Sequence, residues 1–493
     1  MNYLPRYFFW LLLSSSLFCT AMLSAQQQSG WALDPHAGLS AAFLQPAATA
    51  ATPYDWDLNL GSVSTEVSNN YIFLRNSSGF SFLKEVASSD GLDLNESELS
   101  FLLNGNRYNY DFPREGGNVF ARVAAEITGP SFSVQLGQFT RLGAFTRIRG
   151  MASTKGLDLD LNYYPYNEVP NGVDIPVDEA FAATAVWGEV GLNFSRAFLT
   201  GNDGELRLGL SPRYLIPMEG ASGYNPGGGA LRQIGEDSIV VTNAATELGL
   251  SGAFTGTQSD GAVSGSGYAV DLGVQYAWGE TDGDGYRYTV GVSLLDVGGL
   301  NFNRRAQRHR FANSGEVLLV GNDYNFSGVD SVNNVLSLLS QQVNGAPNSE
   351  VADEFIVGLP TAVGVQFSYR PLEAVQLSAS YRGDAPFAVQ RLSRGTELTT
   401  AVYYSRWWFG AGLTAGLYDW REFNVGFQAR LGPVYFGTDR LFGSFLKTQE
   451  LDGGGFYLGL RIHDFAPGRK GKSGGRNRGG RRNGGQRVKC YEF

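Results

Sequence analysis

Apolar and polar residues alternate with a period of two over much of the chain. In the clearest stretch, 267–278, every even position is apolar or aromatic and every odd position is small or polar. The apolar positions are Tyr268, Val270, Leu272, Val274, Tyr276 and Trp278. Residues 286–294 repeat the pattern, and a Gly- and Asp-rich stretch, 279–285, lies between the two. Because successive side chains of a strand point to opposite faces, the pattern predicts a β-hairpin with one apolar face.

The same alternation predicts strands along most of the remaining chain. It is strong at 205–214, 363–370, 375–382, 423–431 and 456–463. Further candidates lie near 55–65, 118–128, 131–138, 140–149, 184–198, 238–255, 399–408, 410–418 and 433–438. Together they give about 14 to 16 strands, an even number being usual for a bacterial barrel. We expect about 14, because residues 66–117 and 303–352 look like long excursions.

Three features favour a membrane barrel over a soluble β-sandwich, which also alternates. The strands are about nine or ten residues long, which suffices to cross hydrocarbon at a tilt. Aromatic residues stand at strand ends, and the charges keep to one face. Since every backbone N–H and C=O must be paired in lipid, such a sheet has to close on itself. The sequence therefore predicts an all-β protein: a transmembrane antiparallel β-barrel with long loops and short loop helices, its apolar face against outer-membrane lipid.

Three stretches lack this alternation. Residues 26–54 are rich in Ala, Pro and Gln, and we expect a plug-like segment in the lumen or a periplasmic segment. In the first excursion, Asn95 and Glu98 form a capping-box-like start that predicts a short helix. In the second, the apolar residues of 329–343 fall on one helical face. We expect both helices to fold over the barrel mouth, with partner binding as the alternative.

The N-terminal residues 1–25 have the pattern of a secretory signal peptide. A positive charge, an apolar stretch and a small-residue cleavage site follow one another before Gln26. This predicts export to the outer membrane of a Gram-negative cell. A lipoprotein site at Cys19 is the weaker alternative, because bulky Phe18 precedes it where a small residue is wanted.

Charge is divided unevenly along the chain. The 493 residues carry a net charge of −9, although residues 467–493 hold nine Lys or Arg and one Glu. This Gly- and Arg-rich tail cannot bury a core and is expected to be disordered in the periplasm. The predicted organisation is therefore signal peptide 1–25, N-terminal segment 26–54, barrel 55–466 and tail 467–493. Residues that could dock anionic lipid, the cell wall or a secretion partner are Arg469, Lys470, Arg481, Arg482 and Cys490.

Two other charged partners are weighed from sequence. Arg304-Arg305 and Arg308-His309-Arg310 precede the second predicted helix, and this basic cluster could contact lipopolysaccharide phosphates. A solvated loop is the alternative. Export argues against a nucleic-acid partner for the basic tail.

Strand parity places a set of charged residues toward the lumen. The candidates are Arg207, Arg213, Arg287, Arg370, Arg382, Arg430, Arg461, Glu189 and Asp271. A lumen richer in Arg than in acid would favour anionic solutes. The alternative, which we favour, is that these charges pair with one another and with a plug and so stiffen a closed pore. Many lumen positions are Gly or Ala, which suits inward-packed segments.

The chain carries no motif typical of an enzyme or a metal site. It contains no H-E-x-x-H, no P-loop and no Cys/His metal spacing. Its three histidines, His36, His309 and His463, lie far apart in the sequence. We predict no enzyme activity and assign no catalytic residue, metal or cofactor.

Six stretches occur in an order that matches a known family. They are AAFLQPA at 41–47, GPSF at 129–132, WGEVGL at 187–192, GSGYAVDLG at 265–273, SLLDVG at 293–298 and KCYEF at 489–493. In these, the chain resembles the DUF5723 family of Bacteroidetes outer-membrane proteins, which is similar to FadL-like and PorV/PorP-type barrels. The family usually has Asn-Pro-Ala where this chain has Gln45-Pro46-Ala47. The resemblance implies a barrel and an outer-membrane location, and it implies no settled activity.

Two functions remain open at this level. The first is a channel or transporter for small hydrophobic or anionic solutes, with a lumen pathway gated by the N-terminal segment. The second is a structural anchor whose basic tail docks a cell-wall or secretion partner.

Overall fold

The computed structural model describes most of the chain. The described residues are 29–71, 73–75, 93–95, 100–103, 106–111, 119–157, 172–200, 204–235, 238–255, 263–280, 285–321, 330–386, 390–440, 450–451 and 453–464. The predicted signal peptide and the predicted basic tail, with its docking candidates, lie outside them.

Strands dominate the described residues. In chain order they are β1 (Trp56–Asn69), β2 (Phe73–Arg75), β3 (Asp93–Asn95), β4 (Ser100–Leu103), β5 (Asn106–Asp111), β6 (Val119–Thr128), β7 (Ser131–Leu136), β8 (Thr140–Leu157), β9 (Asp174–Val177), β10 (Ala180–Thr200), β11 (Gly204–Asn225), β12 (Gly229–Gly235), β13 (Ser238–Thr242), β14 (Ala245–Leu250), β15 (Gly265–Glu280), β16 (Tyr286–Phe302), β17 (Gln307–Ala312), β18 (Glu316–Val320), β19 (Glu350–Ala352), β20 (Phe355–Gly358), β21 (Ala362–Leu372), β22 (Val375–Asp384), β23 (Glu397–Ser405), β24 (Phe409–Tyr418), β25 (Glu422–Leu431), β26 (Val434–Thr438), β27 (Glu450–Leu451) and β28 (Gly453–His463). The helices are α1 (Ser29–Ala32), α2 (Gly252–Thr255) and α3 (Asp330–Val343), with 3-10 helices η1 (Gly38–Phe43) and η2 (Pro46–Ala51). No helix among the described residues is long and apolar enough to cross a membrane.

Fourteen antiparallel strand positions close into a barrel. In order they are β1, β6 with β7, β8, β10, β11, β15, β16, β20 with β21, β22, β23, β24, β25, β26 and β28. Two positions are built from two segments each, interrupted at Pro130 and Pro360, because proline cannot donate to the ladder. The first and last strands pair from Asp57 opposite His463 to Ser68 opposite Gly453, which closes the ring. The predicted transmembrane barrel of about 14 strands is confirmed.

The two faces of each strand differ as the alternation predicts. On β11, Leu208 and Leu210 are 42% and 40% exposed on the outer face, whereas Arg213 is 3% exposed on the inner face. Apolar side chains on the outside of a closed barrel meet hydrocarbon, and polar ones turn inward. Aromatic rings form a ladder at one end of the barrel, from Trp278 to Tyr288 at 5.5 Å and on to Tyr369 at 5.2 Å. This is the aromatic girdle typical of a membrane interface.

The two ends of the barrel differ in their connections. At the end where β1 begins and β28 ends, the turns are short, as at 137–139, 373–374, 406–408 and 432–433. At the other end most connections are long, as between β8 and β10, β11 and β15, and β16 and β20, and only β24 and β25 are joined by a short turn among the described residues. Outer-membrane barrels place short turns in the periplasm and long loops outside the cell. We therefore assign the short-turn end to the periplasm and the long-loop end to the extracellular side.

A small sheet and a helix extend the extracellular end. Strands β9, β12, β13 and β18 form a separate sheet, and α3 packs Leu336 and Val343 against Phe311 and Val317. The predicted helix over 329–343 is confirmed as α3.

Two local predictions are wrong. The strand predicted over 238–255 is instead β13, β14 and α2, because its apolar residues pack against the extracellular sheet and α3 rather than against lipid. The helix predicted to begin at Asn95 is replaced by strands β3 and β4, which pair with each other. Pairing of β4 with β5 outweighs the local capping signal there. Residues 96–99 lie outside the described residues.

Candidate functional site

The inner face of the barrel carries eight charged side chains that meet in one place. We call them the ionic cluster: Glu126, Arg147, Arg149, Glu189, Arg213, Asp271, Asp296 and Arg394. Six barrel strands, β6, β8, β10, β11, β15 and β16, supply seven of them, and Arg394 comes from the connection between β22 and β23. Four guanidinium groups face four carboxylates, so the cluster is formally neutral.

Glu189 lies at the centre of the ionic cluster. It accepts from Arg147 at 2.6 Å, from Arg149 at 3.1 Å and from Arg213 at 3.3 Å. The indole Nε1 of Trp187 donates to it at 2.8 Å. The Glu189 side chain is buried, so these four donors replace the water that its carboxylate would otherwise bind.

Asp296 forms the second hub of the ionic cluster. Its backbone has φ +52°, at a bulge where β16 and β15 change register. The bulge turns the carboxylate inward, where it accepts from Arg149 at 3.0 Å, from Arg213 at 2.7 Å and from Arg394. The Asp296 backbone N–H donates to Asp271 at 2.6 Å, and Asp271 also pairs with Arg213. The hubs are thus joined through shared arginines.

Residues 29–54, which we call the N-terminal segment, occupy the lumen on the periplasmic side of the ionic cluster. Trp31 stacks on Tyr435 of the barrel wall with ring centroids 4.1 Å apart. Phe43 meets Phe145 edge-on at 5.1 Å and lies 4.1 Å from the Arg147 guanidinium. Small residues and 3-10 turns let the chain double back within this narrow space.

One turn of the N-terminal segment, residues 45–47, packs closely against strands β11, β15 and β16 of the wall. We call this place on the wall the seat. Gln45 caps η2 by accepting from the Ala47 N–H, and Pro46 at the first helical position has the required φ. The Gln45 amide donates to the backbone oxygens of Val274 and Val292 at 3.3 and 3.1 Å. Gly209 lies directly beneath, where a Cβ would overlap the backbone of Pro46 and Ala47. The seat therefore depends on a glycine at 209.

The N-terminal segment contacts the wall through hydrogen bonds, and several of these end on charged wall groups. The Ser29 hydroxyl donates to Glu397 at 3.1 Å, and the Gly30 and Leu39 N–H groups donate to Asp439 at 3.1 Å and to Asp57 at 3.0 Å. The only ionisable carboxylate in residues 29–54 is Asp34, which accepts from Ser405 at 3.2 Å and from Gln428 at 3.1 Å. Among the described residues, no Lys or Arg nitrogen lies within 4.0 Å of it. Thr49 bonds to Ser195 at 2.7 Å. The ionic cluster pairs internally, and residues 29–54 contain no Lys or Arg that could form an ion pair with a wall carboxylate.

Little space is left between the N-terminal segment and the ionic cluster. A cavity of about 40 Å³ remains, lined by Ser40, Phe43, Asp271, Asp296 and Arg394 among others. Such a volume holds a few water molecules at most.

The periplasmic end of the lumen holds a different group of side chains. Tyr54 stacks on His463 at 3.9 Å, and the Arg461 guanidinium lies 5.2 Å from the Tyr54 ring and 5.3 Å from the Trp31 ring. Arg430 donates to the backbone oxygen of Trp407 at 2.8 Å. Within the described part of the chain, neither arginine has a carboxylate within 4.0 Å. Two histidines far apart in sequence, His36 and His463, thus flank the same tyrosine.

The structure places the lumen candidates as follows. Those buried on the inner face are Arg207, Arg213, Arg382, Arg430, Arg461, Glu189 and Asp271. Arg287 and Arg370 are only partly buried. The structure brings Glu189, Arg213 and Asp271 together in the ionic cluster, and it pairs Arg382 with Glu397 and Arg207 with Glu205.

Sequence reasoning missed five of the eight residues of the ionic cluster: Glu126, Arg147, Arg149, Asp296 and Arg394. Arg147 and Arg149 alternate with Ile148 in a predicted strand, so parity could have found them. No pattern signals Asp296, whose inward direction depends on the bulge. Arg394 lies outside any strand, and only the folded chain shows where it reaches.

Asp439 holds the start of the N-terminal segment against the barrel wall. It follows β26 and accepts from the Gly30 N–H at 3.1 Å. Burial, together with the charge of Glu397, raises the pKa of Asp439 to about 7. A raised carboxyl pKa means that the folded state keeps the proton over a pH range in which the unfolded state has lost it.

We expect the ionisation of Asp439 to lower the free energy of unfolding between about pH 4 and about pH 7, because this ionisation is disfavoured only in the folded barrel. Asp439→Asn should remove most of this decline, on the order of a few kcal/mol, and make the barrel more stable at pH 8. Denaturation in detergent across this pH range measures the effect. Asp353→Asn, at an exposed loop position, should keep the parental pH dependence. An unchanged slope in Asp439→Asn would contradict the assignment.

Comparison with known proteins gives one family and several distant folds. The model of DUF5723, a family of unknown function, matches residues 46–439. No curated protein matches the chain. A mutant of TodX, a monoaromatic hydrocarbon channel, is 9% identical over 86% of this chain and 94% of its own, with a TM-score of 0.38. CymD, another monoaromatic hydrocarbon channel, is 9% identical over 88% and 94%, with a TM-score of 0.30. A FadL homologue from Pseudomonas aeruginosa is 10% identical over 86% and 93%, with a TM-score of 0.20. At such values these similarities assign no function.

Proposed function

The chain belongs to the DUF5723 family, and from its closed barrel and filled lumen we propose that it is an outer-membrane channel or transporter for small hydrophobic or anionic solutes. The N-terminal segment acts as a plug in this proposal. Solute passes along the lumen when the segment leaves its seat, and no covalent step is involved.

The observation that carries the proposal is the way charges are divided between wall and plug. Removing one partner of a buried ion pair costs about 3–5 kcal/mol. A hydrogen bond contributes about 0.5–1.5 kcal/mol net between neutral groups and about 1.5–3 kcal/mol when one partner is charged. Because the ionic cluster pairs within the wall and with Arg394, the N-terminal segment can leave while the buried carboxylates keep their arginines. A permanently closed barrel would not need an ionic cluster that keeps its ion pairs without the N-terminal segment.

The solute class is proposed from the two ends of the lumen. Extracellular of the ionic cluster, the inner face carries an apolar layer that includes Trp187, Leu215 and Phe302. At the periplasmic end, Arg430 and Arg461 have no carboxylate within 4.0 Å among the described residues. An apolar layer suits a hydrophobic solute, and arginines without a carboxylate partner suit an anionic one.

Two further proposals concern lipopolysaccharide and a partner of the C-terminal tail, and fewer observations support them. Exposed Arg304, Arg305, Arg308 and Arg310 at the extracellular end could contact lipopolysaccharide phosphates. The alternative function, an anchor whose tail docks a cell-wall or secretion partner, depends on residues outside the described ones.

Locking the plug tests the proposal. In a Cys490→Ser background, Thr49→Cys and Ser195→Cys place two thiols where the two hydroxyls now lie 2.7 Å apart. We expect the oxidised, cross-linked protein to stop uptake of small solutes into liposomes and reduction to restore it. Each single cysteine variant serves as the control and should respond to neither oxidation nor reduction.

Each outcome of this experiment is decisive. If uptake is equal in the oxidised and reduced states, the N-terminal segment is not the gate. If neither state admits any hydrophobic or anionic solute, the channel proposal itself fails.

A further inference from the structure

Residues 390–396, which we call the crossing segment, span the extracellular mouth of the barrel. On one side, Arg391 forms a bridge with Gly358, and the Leu392 N–H donates to the Gly358 oxygen at 3.0 Å. The Ser393 hydroxyl donates to Asp384 at the end of β22 at 2.5 Å. These contacts fix the segment to the eighth and ninth positions of the barrel.

The crossing segment also reaches the opposite wall. The Ser393 N–H donates to the Ser153 hydroxyl of β8 at 2.9 Å. Strand β8 is the third position of the barrel and β22 the ninth, so five positions lie between them on one side of the ring and seven on the other. A segment that touches both must run across the lumen rather than along its rim.

The crossing segment closes the lumen with one apolar and one charged side chain. Leu392 is fully buried in the apolar layer with Trp187, Phe302 and Val357. Two residues later, Arg394 reaches down to pair with Asp296 in the ionic cluster. The extracellular mouth is therefore closed by an apolar layer, and the Arg394–Asp296 ion pair holds the crossing segment to the ionic cluster on the periplasmic side of that layer.

The ion pair between Arg394 and Asp296 is arranged so that it can separate. Asp296 keeps Arg149 and Arg213 when Arg394 leaves, and Arg394 would move outward to where water can solvate it. Gly395 has φ +76°, a conformation that favours glycine, and there the chain turns back to the wall. Beyond it, the Thr396 N–H donates to Asp419 at 3.0 Å, which anchors the returning chain.

We propose that the crossing segment is a second gate, in series with the N-terminal segment and on the opposite side of the ionic cluster. This proposal rests on the proposed transport path through the lumen. A solute crosses only when both gates are open, and the extracellular gate opens when Arg394 separates from Asp296 and Leu392 leaves the apolar layer.

Conductance in planar bilayers tests the two gates separately. Four full-barrel proteins are compared: the parent, a variant lacking residues 29–51, Arg394→Gln, and the variant that combines both changes. We expect the combined variant to conduct about tenfold more than the deletion alone, with the parent and Arg394→Gln near baseline. Arg391→Gln, on the same segment but without an ion pair within 4.0 Å among the described residues, is the matched control and should not raise the conductance of the deletion variant.

The outcomes separate this proposal from the proposed function. If the deletion alone conducts as much as the combined variant, the crossing segment is not a gate, although the channel proposal survives. If the combined variant stays silent, the transport path is wrong. Heat-modifiable gel mobility identifies folded barrels, and Gly209→Ala, which disturbs the plug seat, replaces the deletion if that does not fold.

Discussion

Glu189→Gln is expected to lower the free energy of unfolding of the barrel by about 3–5 kcal/mol. The substitution keeps the shape of the side chain and removes its charge. Glu189 is shared by three arginines, Arg147, Arg149 and Arg213. Without its charge, the ionic cluster has three carboxylates for four guanidinium groups. Equilibrium denaturation in detergent micelles measures the loss.

A surface ion pair provides the control for this change. Glu316 pairs with Arg232 at 2.5 Å, but its side chain is 59% exposed. Glu316→Gln should therefore cost at most about 1 kcal/mol. Equal losses in the two variants would mean that the ionic cluster is solvated and does not stabilise the closed barrel.

Gly209→Ala is expected to unseat the N-terminal segment. The added methyl group would overlap the backbone of Pro46 and Ala47, which cannot move aside without breaking the Gln45 bonds to β15 and β16. A cysteine introduced at Ser293, now 2% exposed beneath the segment, should react with a maleimide about tenfold faster, which corresponds to about 1.4 kcal/mol of lost closure. The Cys490→Ser background keeps the reaction specific.

Gly61→Ala is the matched control, because a Cβ at 61 would meet its nearest neighbour at 3.7 Å, an ordinary contact. It should leave the reaction rate at Ser293→Cys unchanged. A rate equally slow in Gly209→Ala would show that the segment adapts in place and that its seat does not govern access to the lumen.

The architecture was predictable from sequence because one physical constraint repeats along the whole chain. Every strand that crosses lipid must turn one face to hydrocarbon, so the period of two marks strands as distant as β11 and β28. The same parity put Glu189, Arg213 and Asp271 on the inner face, and the structure joins them. Parity assigns a face to a residue and leaves its partner open, so the division of charge between wall and plug could not be foreseen.

Two of the residues that sequence reasoning missed, Asp296 and Arg394, lie where the period of two breaks. Asp296 points inward because a bulge shifts β16 against β15, and a bulge leaves no mark in the alternation. Arg394 acts from a connection whose course depends on contacts with Gly358 and Ser153 across the barrel. The strand predicted over 238–255 was wrong for a related reason, since its apolar residues are covered by α3. Burial in protein and burial in lipid both require apolar side chains, so the pattern of apolar residues does not distinguish the two.

Cysteine reactivity along β10 and β11 in liposomes tests the central claim most directly, that a membrane barrel is filled by its own N-terminal segment. Single cysteines replace Leu208 and Leu210 on the outer face and Ser195 and Ser211 on the inner face, where the two serines are at most 1% exposed. The account predicts that the outer pair reacts only with a lipid-soluble maleimide and that the inner pair reacts slowly with both this and a water-soluble thiosulfonate. Rapid reaction of the inner pair with the water-soluble reagent would mean an open lumen, and rapid reaction of the outer pair with it would mean that the apolar face does not meet lipid.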